Sequence, residues 1–260
     1  MNFLKDAVRV KKTEVALAKR ETPLKKLKLL AARTEKRRIK RSFAHALRKK
    51  PIALIAEIKL KSPSIDRIGH NLLELAQAYA KSPADAVSVL TDKRYFSGSP
   101  NHLSTVRKIV SQPLLRKDFI IDEYQIYESI VLGADAILLI AALLPPTKLR
   151  KFINLAREVG LDCLVEVHSA SEVKKALRAG AKIVGINNRD LKSLKINLNK
   201  TADLVKLLPE DKIVVSESGL LNAGGVKKMQ KLGIQAVLAG SAIVQSKNPL
   251  QKIKELKLQL

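Results

Sequence analysis

Short, almost uninterrupted apolar runs recur along the chain, each followed by a polar stretch and then by a segment with apolar residues at helical spacing. The runs are IALIAEI (52–58), AVSVL (86–90), PLLRK (113–117), AILLI (136–140), CLVEV (163–167), IVGIN (183–187), IVVSE (213–217) and AVLAG (236–240). Runs of this kind suit strands covered on both faces, whereas a half-exposed strand would alternate apolar with polar. Between them NLLELAQAYA, DEYQIYESIVLG, PTKLRKFINLAREVG, SASEVKKALRAG and NAGGVKKMQKLG read as amphipathic helices, several with a capping residue at the start and glycine at the end. The segment KSLKINLNKTADLVKLL (192–208) has a long polar lead-in and the least regular helical pattern. Strands alternating with helices predict a parallel sheet, and eight such units close most simply into an α/β fold of the (β/α)8 TIM-barrel type. An open doubly wound sheet is the alternative. Ahead of the first run, residues 1–48 are rich in Lys, Arg, Ala and Leu, with Leu24, Leu27, Leu30 and Ala31 at helical spacing, and read as an N-terminal helical extension.

With 260 residues, of which 46% are hydrophobic, the chain can bury one large core, so a single domain spanning 1–260 is expected. The lone Cys163 allows no internal disulfide, and no signal-peptide pattern opens the chain, which together point to a reducing cytoplasm. No uncharged apolar run approaches the ~18 residues of a membrane span.

Charge is the unusual quantity, 49 Lys and Arg against 24 Asp and Glu, a net +25. Such an excess attracts polyanions and steers small anions toward the surface. With 3% aromatic residues, no Trp, no zinc spacing, no helix-turn-helix and no aromatic RNA-binding segment, the expectation is a solvated Lys-rich surface and not a nucleic-acid partner. A monomer is compatible with the sequence, which does not reveal oligomeric state. No G-x-G-x-x-G or Walker pattern supports a nucleotide cofactor. His45, His70, His102 and His168 are spread without metal-ligand spacing, so no metal is expected.

In a β/α barrel chemistry is built at the carboxyl ends of the strands. Glu57, Lys59 and Lys61 follow one another at spacing two and share a side of the first strand. Lys117 ends the third, Glu166 lies near the end of the fifth, Asn187, Asn188 and Arg189 end the sixth, and Glu217 with Ser218 end the seventh. Each alone reads equally well as part of a structural ion pair. Their joint position at five strand ends points to one mouth, because charges taken out of water are costly unless paired or used. Gly219, Gly240 and Ser241 stand in the last two loops, where such barrels bind phosphate on bare N–H groups; tight strand-to-helix turns would also need glycine. Tyr95, Phe96 and Phe119 could wall a ring-bearing substrate or simply pack their loops. His168 follows the Glu166 strand and could line the mouth, but reads first as an ordinary loop residue, and Cys163, of opposite parity to Glu166, should face the helices.

The segments IAEIKLKSPS (55–64), SVLTDKRYFSGS (88–99), PLLRKDFIIDEYQ (113–125), LVEVH (164–168), GINNRDL (185–191), SESG and AGSAIV resemble, in order, those of the indole-3-glycerol phosphate synthase family of tryptophan biosynthesis. The resemblance covers nearly the whole chain. It implies a lyase that closes an indole ring on 1-(2-carboxyphenylamino)-1-deoxyribulose 5-phosphate with loss of CO2 and water, and no cofactor. It implies Lys117 as general acid and Glu166 as general base, with Glu57 nearby to stabilise or relay charge. Lys59 would bind the substrate carboxylate or serve as the acid of dehydration; the sequence leaves the division between the two lysines open. Asn187, Glu217 and Ser218 match polar contacts; Lys61, Ser62, Gly219, Gly240 and Ser241 the phosphate cradle; Phe96 and Phe119 the wall around the aromatic ring; Arg189 the rim. An ammonium at the mouth donates its proton more readily if burial or neighbouring cations lower its pKa.

The chain departs from the family pattern at Ile65 and Asp66, where SPSKG is common, at Ser82 and Pro83, where a glycine pair is common, and at Ser97. Two other readings compete. A phosphoribosylanthranilate isomerase would not need the lysine pair Lys59 and Lys117. A nucleic-acid binder that has lost catalysis would show a steep salt dependence of binding.

Overall fold

A computed structural model describes residues 3–62, 68–190 and 193–258. In chain order the elements are α1 (Phe3–Glu21), α2 (Leu24–Arg37), α3 (Phe43–Ala46), β1 (Ala53–Ile58), α4 (Leu72–Ala80), β2 (Ala86–Leu90), α5 (Lys93–Phe96), α6 (Pro100–Arg107), β3 (Leu114–Lys117), α7 (Glu123–Val131), β4 (Ala136–Ile140), α8 (Pro146–Glu158), β5 (Asp162–Val167), α9 (Ala170–Ala179), β6 (Ile183–Asn187), α10 (Asn199–Val205), β7 (Ile213–Glu217), α11 (Ala223–Lys231), β8 (Ala236–Ala239), α12 (Ser241–Val244) and α13 (Pro249–Leu256). Each strand pairs in parallel with the next and β8 returns to β1, closing an eight-stranded barrel and excluding the open sheet. The strands fall within one residue of the apolar runs.

Differences lie in the helices. The single helical reading of residues 1–48 is divided. Pro23, with no N–H to donate, stands before α2, and Arg38 turns extended after it. The second connection holds α5 and α6, capped by Asp92 and Ser99, neither of which was drawn from the sequence. Among the described residues of the irregular 192–208 segment only Asn199–Val205 is helical. The departures at Ile65 and Asp66 lie outside the described residues.

Strand parity sorts the core into two layers. Ile55, Leu115, Leu138, Leu164, Val215 and Leu238 fill the barrel, whereas Leu54, Val87, Ile137, Val165, Val184 and Val237 pack outward against the helices. Cys163 joins the outer layer, as its parity predicts. α3 closes the floor of the barrel with Phe43 and Leu47, anchored by Ser42 at its N-terminus and by the Ala44 N–H donated to Asp162 at 2.9 Å.

At the other end α1 lies against the mouth. Its Ala7 is buried with Phe119, and its Tyr95 contact runs from the phenol hydroxyl to the Asp6 carboxylate at 2.5 Å. Lys11 sends a buried ammonium between Asp92, 3.3 Å away at the end of β2, and Asp118, 2.9 Å away just past β3. Burial alone would lower the Lys11 pKa, but Asp118 and Glu14 outweigh it and hold the group charged. One helix is thereby tied to both loops that border Lys117. Among the described residues no helix is long and apolar enough to cross a membrane.

Candidate active site

The inward positions of the topmost layer are where the polar residues appear. Along β1 the inward series Ala53, Ile55, Glu57 passes from apolar to acidic and continues to Lys59; along β5 it runs Leu164, Glu166, and along β7 Val215, Glu217. The register sets Leu90 beside Lys117, Ile140 beside Glu166 and Asn187 beside Glu217, so these side chains meet over an apolar plug. The Lys117 Nζ lies 3.0 Å from Glu166 Oε2 and 3.3 Å from Glu217 Oε2. Across the mouth the Lys59 Nζ donates to Ser241 Oγ at 2.8 Å and stands 3.7 Å from Glu57 Oε1. They border a cavity of about 360 Å³ whose other walls include Leu4, Phe96, Phe119, Ile140, Leu194 and Leu220.

Two glycines give the carboxylates their room. A Cβ on Gly240 would sit 2.5 Å from Glu57 Oε1, and a Cβ on Gly185 would overlap Glu217 Oε1. Glu217 Oε1 is buried without a hydrogen-bond partner, so the carboxylate is held mainly through the contact of Oε2 with Lys117. Gly185→Ala should therefore push the carboxylate off Lys117 and lower kcat on the order of a hundredfold, as a misplacement near 1 Å does. Gly69→Ala, in open space, is the matched control. Equal kcat for the two variants would show that Glu217 needs no fixed position.

The electrostatics reverse one expectation. Burial would lower the Lys117 pKa, but Glu166, then Glu217 and Glu57, outweigh it and raise it, so Lys117 is a firmly held ammonium. Lys59 is the lysine with a lowered pKa, through burial, opposed by Glu57 and helped by Arg189 and Lys117. Burial works to raise Glu166 as well, yet Lys117 and His168 bring it below the ordinary carboxylate range, and it is ionised near neutrality. Glu217 is pushed up to about 7, by burial against the pull of Lys117 and with the repulsion of Glu166 and Glu57. Two carboxyls around one ammonium thus differ in proton affinity, the pattern that separates acid and base roles.

Most of the residues singled out from sequence meet here. Glu57, Lys59, Ser62, Phe96, Lys117, Phe119, Glu166, Asn187, Arg189, Glu217, Ser218, Gly219, Gly240 and Ser241 all line the cavity. Lys61 does not: it is exposed and lies outside the lining, because after Ile58 the chain leaves the barrel and strict alternation no longer carries the side chain inward. Of the three aromatic residues Phe96 and Phe119 face the cavity, whereas Tyr95 turns to α1 and meets Phe119 edge-on at 6.3 Å. Asn188 points to the outer layer and bonds Ser216 and Thr201. Ser218 and Gly219 are consecutive left-handed residues, φ 68° and 83°, and a Cβ on Gly219 would lie 2.5 Å from Ile196, so a glycine is needed there whatever it binds. Sequence reasoning missed Leu4 and Gln245 in the lining, Lys11 behind the site, and the surroundings of His168. Leu4 and Lys11 lie in α1 at helical spacing of seven, a signal for one face that was available but not tied to the mouth.

A closed β/α barrel with two lysines and three glutamates at the carboxyl ends of its strands defines an enzyme of acid–base chemistry on a small anionic substrate. The family model described as indole-3-glycerol phosphate synthase matches residues 4–256. The chain belongs to that family. It is 46% identical over 244 residues to the indole-3-glycerol phosphate synthase of Caldanaerobacter subterraneus subsp. tengcongensis, covering 93% of each chain. To that of Carboxydothermus hydrogenoformans it is 42% identical over 261 residues, covering 98% of this chain and 99% of the relative. Among solved structures, the 3-hexulose-6-phosphate synthase of Salmonella typhimurium superposes with a TM-score of 0.65 at 16% identity, over 80% of this chain and 97% of that one, a likeness of fold alone.

Proposed function

We propose that the protein converts 1-(2-carboxyphenylamino)-1-deoxyribulose 5-phosphate to indole-3-glycerol phosphate in tryptophan biosynthesis, with Lys117 and Glu166 as its acid and base. The observation that carries this division is one ammonium, 3.0 Å from Glu166 and 3.3 Å from Glu217, facing a second lysine across the cavity.

The Lys117 ammonium donates a proton to the substrate ketone as the aromatic carbon bearing the carboxylate attacks it. A high proton affinity is no obstacle, since the alkoxide forming at that oxygen is more basic still, and the held ammonium stabilises it as it forms. Loss of CO2 then returns its bonding electrons to the aromatic ring. In the last step the new hydroxyl leaves as water with a proton from an acid, and the Glu166 carboxylate removes a proton from the neighbouring methylene. Lys59 suits the acid of this step, because its pKa is lowered and it lies across the cavity from Glu166. Before decarboxylation the same ammonium pairs with the substrate carboxylate. Glu57 keeps Lys59 oriented, and Asn187, Glu217 and Ser218 contact the sugar hydroxyls. Ser62, Gly219, Gly240 and Ser241 receive the phosphate, Phe96 and Phe119 flank the anthranilate ring, and Arg189 guards the rim. The chemistry is acid–base throughout and calls on no cofactor. The net +25 charge draws in a substrate that carries both phosphate and carboxylate, so nucleic acid is not needed to account for it. The enzyme works in the cytoplasm.

Mixing purified protein with the carboxyphenylamino ribulose phosphate and following indole fluorescence tests the reading. Product formation is expected. Absence of product under conditions where a known family member turns over would overturn it.

A further inference from the structure

The reaction consumes a proton. The ketone oxygen and the departing hydroxyl each take one, the methylene returns one to the base, and the carboxylate leaves as CO2. One proton per turnover must therefore enter from solvent and reach an acid–base pair that is nearly enclosed, with the Glu166 side chain only 3% exposed.

His168 stands behind Glu166 and is not part of the cavity lining. Its Nε2 is 3.3 Å from Glu166 Oε1, the oxygen that does not face Lys117, and its Nδ1 is 3.4 Å from Glu172 Oε2. The backbone N–H of His168 donates to the same Glu172 oxygen at 2.8 Å, which holds that carboxylate beside the ring. Ser169 caps α9 and seats Glu172 in its first turn. Both ring nitrogens are buried and neither makes a well-aligned hydrogen bond, so these carboxylates are their nearest charged neighbours. The Glu172 side chain is 19% exposed, so the series runs from a wetted edge inward to the base. Burial lowers the imidazole pKa, but Glu172 and Glu166 outweigh it and raise it, with Lys200 opposing from α10.

We propose that Glu172, His168 and Glu166 form the proton entry path of the active site, with His168 a positioning and relay residue that never touches substrate. The imidazolium passes its Nε2 proton to Glu166 Oε1, and Glu166 passes one from Oε2 to the spent Lys117 amine. A half-turn of the neutral ring presents the stripped nitrogen to Glu172, which supplies the replacement from water. Electrons stay where they are: in each cycle Lys117 receives one proton from solvent along this path, and the methylene proton taken up by Glu166 passes through the departing water in the cavity to restore Lys59.

The relay rests on the acid and base roles given above, which wild-type turnover and Lys117 variants test separately. His168→Gln keeps a polar side chain of similar length but cannot shuttle. Its kcat should fall about tenfold, with KM unchanged within about twofold and a larger solvent deuterium effect on kcat. Added imidazole should restore His168→Ala, and Glu172→Gln should show a smaller loss of the same kind. A His168→Gln enzyme with wild-type kcat from about pH 6 to 9 would sink the proposal. So would a loss that imidazole leaves unrelieved and that carries no added isotope effect, since a purely structural ion pair predicts that result. If His168→Ala does not fold, the two Gln variants decide the question.

Discussion

Lys117→Ala is expected to lower kcat by about three orders of magnitude, ~4 kcal/mol of barrier, while substrate still binds. The side chain lost is the only ammonium within ion-pair reach of Glu166 and Glu217 among the described residues, so two effects coincide. The forming alkoxide loses its proton donor, and the carboxylates of Glu166, Glu217 and Glu57 lose the charge that lets them crowd together. Glu166 then no longer sits below the ordinary carboxylate range, and the base-dependent limb of the pH profile should move to higher pH. Binding should survive because the phosphate and carboxylate contacts proposed for Lys59, Ser62, Gly219 and Ser241 are untouched. Lys117→Arg separates charge from proton transfer: the guanidinium preserves a cation beside the glutamates but does not give up its proton, so kcat should stay low even where the pH profile is restored. Single-turnover fluorescence and direct substrate titration measure the two quantities. Near-normal turnover of either variant would refute Lys117 as the acid.

The barrel was legible because each strand needs both faces covered, and eight apolar runs separated by helix-forming segments leave little choice of closure. The inward lysines and glutamates were legible for a related reason. An ionisable side chain at spacing two from a core residue must enter the barrel, and Glu166 after Leu164 or Lys117 after Leu115 does so. That rule fails where the strand stops, and Lys61, two residues beyond Lys59, is exposed.

Proton affinities were not legible. Whether Lys117 is lowered by burial or raised by partners depends on how many carboxylates reach it, and that number comes from closure of strands β1, β5 and β7 around it, far apart in sequence. The surroundings of His168 were not legible for the same reason. Its loop position carries no sign of the two glutamates, one from its own strand and one from the next helix, that hold its ring. Gly185, in the middle of IVGIN, reads as a weak point in a strand until Glu217 is seen to occupy the missing side chain's space.

Arg116→Met is expected to destabilise the protein by about 3–5 kcal/mol, the usual cost of removing one partner from a buried charge pair. Arg116 has the opposite parity to Lys117 and is 2% exposed in the outer layer, which would be untenable without partners. Its guanidinium reaches Asp118 at 3.1 Å, Glu128 at 2.7 Å, the Gln125 carbonyl at 3.2 Å and Ser129 at 3.2 Å, joining the end of β3 to α7. Asp118 in turn binds Lys11 of α1 and accepts the Phe119 N–H, so the same carboxylate fixes the mouth helix and the loop that follows the proposed acid. Burial would raise the Asp118 pKa, but Arg116 and then Lys11 outweigh it and bring it to about 2 from its ordinary 3.8. The folded value is the lower one, so Asp118 stabilises the fold above pH 4 or so and loses that contribution as pH falls from about 4 toward 2. Replacing Arg116 by methionine preserves volume but leaves Asp118 to Lys11, Thr91 and the Phe119 N–H and strips Ser129 and the Gln125 carbonyl of a donor. The thermal midpoint should drop by roughly 10 °C. The double variant Arg116→Met, Asp118→Leu should regain part of that loss, because it removes the stranded carboxylate, yet should be slower than the single variant in turnover, because α1 and Phe119 lose their anchor. A single variant as stable as wild type would mean that the arginine's desolvation already cancels its contacts. A double variant of undiminished kcat would mean that the anchor of α1 is not what holds the mouth in order.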